Sequence, residues 1–553
     1  MKQTCRITNQ EFEISPDEVS FYEKMGVPLP ELHPDLRLKW RALWRNETTL
    51  YSGRKCDLCN KSIISMYNPK LPYPVYCYNC FYSEKWDPKN YATDYDFSRS
   101  FIDQMKEFLA KVPKITLYLS LGYGENVNSE YVNMASGCKN CYLVFNTGPA
   151  EELLYSRGMR KGTDSSDLYF GFSDDRCYES VNIEESSGVT FGQNVAGCVD
   201  SHFLLNCSGL TNCFGCVNLR GKSNCFFNEQ LTGDEYKKKI DEILGSYQKI
   251  EEYKKKFETF ALQFPMRENN NLKSVNSTGN YLSECKNVHS SFEVFESEDC
   301  RYVFSSKLIR DSMGIIGYGT NSEKLLECVA TGYTSNTIAT YGAENCSNIL
   351  YGFYTSNCHD CIGCDALRNC KYAIFNKEYS KEEYEKIQEH IISELKEKKL
   401  YGLMMPPELA PFAYNETIAQ DNFPLSKEEV LKLGFRWENE IQMTKGKETL
   451  APEKIPDHIY DVPESITQEI LCCVACERNY KITVQELQFY KKMNISIPRQ
   501  CFYCRHTDRI RRRGPFQFWD RKCAKCEKSI TTNYPPERSE IVYCEECYRK
   551  EVM

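Results

Sequence analysis

Residue types recur at a step of twelve through the middle of this 553-residue chain. Cys177-Tyr178, Val189-Thr190, Ser201-His202, Cys213-Phe214 and Cys225-Phe226 fall on that step, and Asn345-Cys346, Asn357-Cys358 and Asn369-Cys370 keep it. A short fixed period with small residues at one place and aromatics beside it marks a β-solenoid, where each coil stacks like residues on the coil below. Twelve residues can be one small coil or half of a 24-residue coil. The many Phe and Tyr ask for a wide interior, which favours the larger coil.

A longer duplication encloses the short one. At an offset of 148, Cys213-Phe214-Gly215-Cys216 meets Cys361-Ile362-Gly363-Cys364, and Phe227-Asn228 meets Phe375-Asn376. Both copies end in capping boxes, Thr232/Glu235 and Ser380/Glu383, opening charged helices to about Phe260 and Leu400. Each helix is expected across the open end of its solenoid, blocking edge-to-edge growth. Arg220 and Arg368 match across the copies and are read as ion-pair partners of those helices. Pairs such as Cys138/Cys141, Cys213/Cys216 and Cys358/Cys361/Cys364 follow the coil period and read as stacked interior thiols.

The C-terminus carries four Cys-x-x-Cys pairs: Cys473/Cys476, Cys501/Cys504, Cys523/Cys526 and Cys544/Cys547. The first two enclose 24 residues and the last two 17. Two such pairs make a tetrahedral thiolate cage suited to zinc. The N-terminus repeats this stretch at an offset of 468, with Ser15/Glu18 and Thr483/Glu486 as matching capping boxes. There Cys5 falls on Cys473 and His33 on Cys501, but Thr8 and Leu36 replace Cys476 and Cys504. That first site is expected to hold no metal. Its second half is intact as Cys56/Cys59 and Cys77/Cys80, again around 17 residues. The count is three structural zinc ions on twelve ligands, because four Cys leave no open coordination position.

Cys473 to Arg505, with Tyr480, Phe489-Tyr490 and Cys501-x-x-Cys504-Arg505, resembles probable zinc-ribbon (treble-clef-like) domains. The whole chain resembles an uncharacterised zinc-ribbon family of candidate-phyla bacteria through Pro406-Pro407-Glu408-Leu409-Ala410-Pro411-Phe412-Ala413-Tyr414-Asn415-Glu416-Thr417 and Phe423-Pro424-Leu425. Neither resemblance implies an activity.

The expected fold is mainly β: a duplicated β-solenoid with capping helices between terminal zinc-ribbon modules. The expected divisions are an N-terminal module (1–90), a connector helix (91–125), two solenoids (126–262 and 263–400), a Pro-rich linker (401–470) and a double C-terminal module (471–553). The linker is expected extended on the solenoids or loose. Thirty cysteines in a long chain, with no apolar segment near Met1, fit a reduced cytoplasm. No apolar run is long enough for a membrane span.

The net charge of −8 hides a basic tail, since residues 471–553 hold 17 Lys+Arg against 10 Asp+Glu. Arg505, Arg509 and Arg513 share one helix face at i, i+4 and i+8, and Arg37, Arg41 and Arg45 repeat the spacing with Trp40 and Trp44 between. Guanidinium groups at one-turn steps suit phosphates, so these six residues are the expected nucleic-acid contacts. Nucleotide-binding and hydrolase motifs are missing; Gly317-Tyr318-Gly319-Thr320 leads into no Lys-Ser/Thr. Asp164, Asp167, Asp174 and Asp175 form the best carboxylate cluster and read as a solvated loop. The function expected is a non-enzymatic zinc scaffold binding RNA or DNA through its ribbons. The competing classes are a protein-assembly module docking a partner through the ribbons and a solenoid enzyme.

Overall fold

A computed structural model describes residues 1–118 and 124–552. Residues 119–123 of the connector lie outside the described residues; its helix is present as Phe101–Lys111. The chain divides into two compact units. One joins residues 1–117 to 269–439 and 531–533; the other joins 118–268 to 440–530 and 534–553. Each terminal module therefore belongs with the solenoid more distant in sequence.

Both solenoids are parallel stacks. The first is a twelve-stranded sheet from Val132–Asn133 to Glu229–Gln230, the second a ten-stranded sheet from Thr278–Ser283 to Lys377–Glu378. Pairing joins residue i to i+12: Ser166 to Tyr178, Val181 to Gln193, Cys358 to Cys370. One coil is thus twelve residues, which corrects the 24-residue expectation. The aromatic rings do not need a wide interior, because they sit on outer faces. Tyr155 stacks on Phe502, Tyr178 meets Phe489 and Tyr490, and Phe203 meets Phe257, all residues of covering helices.

The interior is narrow and takes every third residue. Val132, Ala135, Cys138, Cys141, Val144, Leu153, Leu168, Cys177, Ile183 and Cys213 all lie on that one phase of the first solenoid. Three residues per side force a turn at each corner, which is met by left-handed backbone. Asn182, Asn194 and Asn206 have φ of 51°, 54° and 54°, a conformation Asn tolerates. Their amides ladder up the stack, Asn182 Nδ2 donating to Asn194 Oδ1 at 3.0 Å and Asn194 Nδ2 to Asn206 Oδ1 at 2.9 Å. In the second solenoid Ile309 pairs with Ser322, a step of thirteen, so the buried phase shifts by one residue beyond it.

Inward hydroxyls and thiols do the same work. Ser165 Oγ donates to the Thr163 carbonyl at 2.7 Å and accepts from Cys177 N at 2.9 Å. Cys177 Sγ donates to the Asp175 carbonyl at 3.3 Å, and Cys358 Sγ to that of Ser356 at 3.3 Å. The solenoid cysteines are small interior residues with a satisfied thiol, as the period implied.

One inward position is a carboxyl. Asp174 is buried; its Oδ1 accepts from Ser186 N at 3.2 Å and its Oδ2 has no partner. Burial pushes its pKa up to about 8, more than the Ser186 amide lowers it. The fold therefore favours the protonated acid. This stabilisation is complete below the ordinary aspartate range and is lost as pH rises toward 8. Asp174→Asn is expected to raise stability at pH 8 and to flatten the decline between pH 5 and 8. Denaturant midpoints across that range check it; an unchanged slope would reject a buried acid here.

The first solenoid ends in two helices, Gly233–Asp241 and Tyr247–Ala261, the second in one, Lys381–Glu397. The expected capping boxes at Thr232 and Ser380 form. Tyr236 and Tyr384, equivalent at the 148 offset, are buried beside the inward thiols of Cys213/Cys216 and Cys361/Cys364. The last coil also turns back into an antiparallel strand in each copy, at Glu229–Gln230 and Lys377–Glu378, which ends parallel growth.

The Pro-rich stretch 401–470 is not loose. Met404, Met405, Phe412 and Tyr414 are buried in one unit, and Ile455, Ile459, Val462 and Ile466 join the core of the other. Among the described residues, no helix is long and apolar enough to cross a membrane.

Candidate metal centres and the buried arginine ladders

Each Cys-x-x-Cys pair sits on a local structure that presents two sulfurs together. The first pair of each site lies on a tight turn after a strand, and the second opens a helix. Cys77 and Cys501 are N-caps, of Tyr78–Phe81 and Phe502–Arg513, and Cys544 directly precedes Glu545–Val552. The twelve cysteines fall into three groups: Cys56/Cys59/Cys77/Cys80, Cys473/Cys476/Cys501/Cys504 and Cys523/Cys526/Cys544/Cys547. In each group the four sulfurs lie within 4.8 Å of one another.

The spacing fits an ion. Cross-pair sulfurs stand 3.9 Å apart for Cys59–Cys77, 3.7 Å for Cys473–Cys504, 3.6 Å for Cys476–Cys501 and 3.7 Å for Cys526–Cys544. A tetrahedron with metal–sulfur bonds of about 2.3 Å has edges of about 3.8 Å. Backbone amides point at the sulfurs: Cys77 N donates to Cys56 Sγ at 3.3 Å and Cys544 N to Cys523 Sγ at 3.2 Å. Burial pushes Cys77, Cys501 and Cys544 up, but at the first cysteine of each group the amides outweigh it. Cys56 and Cys473 come down to about 7 and Cys523 to about 6. Four thiolate donors leave no position for water or substrate, so these centres suit structure rather than catalysis.

The fourth position, expected to be degenerate, is filled by packing. Leu36 and Cys5 are buried, and His33 caps the helix Pro34–Ala42 through Nδ1, which accepts from Asp35 N at 3.2 Å. His33 is engaged as a cap where its counterpart Cys501 belongs to a four-cysteine group.

The arginine ladders do not face solvent, which corrects their expected role. Arg37, Arg41, Arg45, Arg505, Arg509 and Arg513 are all buried. The i, i+4, i+8 face forms on the helix Phe502–Arg513, whereas Arg45 lies beyond the helix Pro34–Ala42, and both stripes point at a solenoid flank. Arg505 Nε donates to Asp167 at 2.9 Å. Arg509 Nη1 donates to Asp167 at 2.7 Å and Glu179 at 2.7 Å, and its Nη2 to the Tyr155 carbonyl at 3.2 Å. Arg513 Nη1 donates to Tyr169 Oη at 2.7 Å. Asp167 and Glu179 stack one coil apart at left-handed corners. Burial would raise the Asp167 carboxyl, but Arg505 and Arg509 hold it below the ordinary aspartate range.

The N-terminal ladder uses the second solenoid in the same way. Arg37 and Arg41 both pair with Glu327, which is buried, and Arg45 pairs with Glu47 at 2.5 Å. Gly314 and Gly317 leave room for the incoming heads: a Cβ at Gly314 would stand 3.0 Å from Arg41 Nη1, and one at Gly317 would collide with Arg45. Gly317 and its neighbours are thus a docking cleft for arginine, not a phosphate loop. Trp40 Nε1 donates to the Met405 carbonyl at 2.7 Å, and Trp44 packs on Tyr341 and Phe353. Neither tryptophan is free to stack on a base.

A second arginine contact runs the other way. Arg368 lies over the rings of Phe81, Tyr82 and Trp86 and donates to the Phe81 carbonyl at 2.6 Å. Its equivalent Arg220 neighbours Tyr548, which follows Cys547 as Phe81 follows Cys80. These arginines hold the four-cysteine modules rather than the terminal helices expected.

The carboxylate cluster is dispersed. Asp164 pairs with Lys492, Asp167 with the ladder, Asp174 faces the coil interior, and Asp175 accepts from Thr163 Oγ1 at 2.9 Å. No two of them converge on a common cleft. The docking carboxylates Glu179 and Glu327 were not singled out in the sequence. Their signal is a charge in corner columns that hold mostly aromatic or small residues.

No family model matches the chain, and no curated protein matches it. A solved structure described as a "putative acetyltransferase" from Desulfovibrio desulfuricans G20 aligns at 9% identity over 53% of this chain and 88% of that one, with a TM-score of 0.11.

Proposed function

We propose that this protein is a non-enzymatic zinc scaffold for protein assembly, with three structural zinc ions bound by Cys56/Cys59/Cys77/Cys80, Cys473/Cys476/Cys501/Cys504 and Cys523/Cys526/Cys544/Cys547. The observation that carries this reading is the inward direction of both ladders. The arginines that would have met phosphates are taken up by Asp167, Glu179, Glu327, Glu47 and the Tyr169 hydroxyl. Several remaining basic side chains of the C-terminal module are also matched: Arg511 with Asp508, Lys525 with Glu551, Arg549 with Glu545 and Lys550 with Glu546. Zinc is the ion of choice because four thiolates in a tetrahedron suit a soft-tolerant ion without redox chemistry.

Metal analysis and RNA binding of the purified chain test this reading together. Three zinc ions per chain are expected. Single-stranded RNA and duplex DNA are expected to bind weakly, with a log–log salt slope below about 2, since few phosphates can be neutralised. A steep slope with affinity retained near physiological salt would replace the assembly reading by the nucleic-acid one. Fewer than three ions would remove one four-cysteine group from the assignment.

A further inference from the structure

We propose that the C-terminal ladder helix is a metal-gated latch, and that its N-terminal counterpart is the same latch made permanent. The inference rests on the metal reading of Cys473/Cys476/Cys501/Cys504. It goes beyond that reading by making the bound ion control whether a flank of the first solenoid is covered.

The helix Phe502–Arg513 carries both functions in three turns. Cys501 is its N-cap and Cys504 lies in its first turn. Arg505 follows at once, and Arg509 and Arg513 come one and two turns later. The N-cap makes no side-chain hydrogen bond to the helix. A Ser or Asp cap would hold the orphan amides; here the thiolates of Cys501 and Cys504 are the restraint at that end. A helix this short is marginal alone in water. Its geometry is therefore set by the metal at one end and by the solenoid along one face.

That face is costly to leave half-formed. Asp167 is fully buried between Arg505 and Arg509, and Glu179 is shared by Arg509 and Arg512. A buried carboxylate whose guanidinium is displaced loses its compensation, so a helix with a loosened first turn gives up the whole contact rather than part of it. Tyr155, stacked on Phe502, and Tyr169, bonded to Arg513, are uncovered with it. The strip released carries Tyr155, Asp167 and Glu179 on successive coils with Tyr169 beside them, a surface matched to an arginine-bearing helix.

The N-terminal copy removes the metal from this arrangement and keeps the rest. Arg37, Arg41 and Arg45 dock on Glu327 and Glu47. The helix that bears two of them begins with Pro34 and is capped by the His33 ring. Leu36 is buried where Cys504 is a ligand. Ordinary capping, a proline at the first turn and an apolar anchor replace the ion. The two copies thus differ in how the first turn is held, while in both a buried solenoid carboxylate takes two arginines of the helix.

Hydrogen exchange of the full chain under reducing conditions tests the latch. Metal is withdrawn with a zinc chelator in one arm. In a second arm Cys504→Ser empties only the site on the latch helix, leaving Cys56/Cys59/Cys77/Cys80 loaded. Exchange of residues 502–513 and of the covered coils 155–181 is expected to accelerate about tenfold or more in both arms. Residues 34–42 and 309–331 are expected to stay unchanged in the Cys504→Ser arm. Zinc added back to the chelated wild type is expected to restore protection, which separates release from misfolding of the variant. If zinc binds and leaves while 502–513 keeps its protection, the latch is wrong and the metal reading stands. If the wild type takes no zinc at this group, the metal reading itself falls. Equal opening of both ladder helices in the Cys504→Ser arm would overturn the asymmetry.

Discussion

Serine at Cys523 is expected to lower bound metal from three ions to two and to unfold residues 519–552 while the solenoids stay folded. Cys523 is buried at the centre of a small cluster with Ile530, Val542 and Cys544. That apolar core is too small to fold alone. Structural zinc supplies on the order of 10 kcal/mol in modules of this size, so its loss exceeds what the remaining contacts return. Val542-Tyr543 pairs with Met266-Arg267, Arg267 Nη2 donates to Glu545 at 2.7 Å, and Tyr548 Oη donates to Asn218 at 2.8 Å. Limited proteolysis with metal analysis checks the result. A variant that keeps three ions would remove Cys523 as a ligand. A variant that loses the ion yet resists protease would mean the module is held by its docking alone.

Arg509→Met is the second large effect, expected to destabilise the unit that contains it by about 3–5 kcal/mol. The guanidinium is fully buried and bridges Asp167, Glu179 and the Tyr155 carbonyl. Methionine fills much of the volume but leaves two carboxylates short of a partner. Arg505 and Arg512 still reach them, which places the cost nearer the lower figure. Arg509→Lys is expected to recover only part of the loss, because an ammonium cannot present the planar fork that spans two acids and a carbonyl. Zinc content should stay at three, since no ligand is touched. Denaturant unfolding followed with metal analysis reads both quantities. A loss under about 1 kcal/mol would show the ladder to be exposed and hydrated rather than buried.

The parts of this protein and their internal geometry are written in local patterns of residues. Cys-x-x-Cys spacing fixes which sulfurs can share a tetrahedron, because a turn and a helix start are local structures that do not depend on the rest of the chain. All three groups follow from that spacing. The twelve-residue period fixed a stacked β architecture, and the capping boxes fixed where the helices begin. The number of residues per coil was not legible, because the period is the same whether one or two repeats close a turn. It was decided by the i to i+12 pairing and by the aromatic rings lying outside the coil.

Which way the arginines face is set by long-range packing. The i, i+4, i+8 spacing of Arg505, Arg509 and Arg513 specifies a charged stripe, and a stripe suits phosphate and carboxylate alike. What chooses between them is the presence of Asp167 and Glu179 at corner positions one coil apart, more than three hundred residues away in sequence. Lone acids in a repeat carry no local signature. The same holds for Gly314 and Gly317, whose missing side chains have meaning only once Arg41 and Arg45 arrive. Pairing of each terminal module with the more distant solenoid is likewise a long-range choice, made by matching buried charge, and no local pattern encodes it.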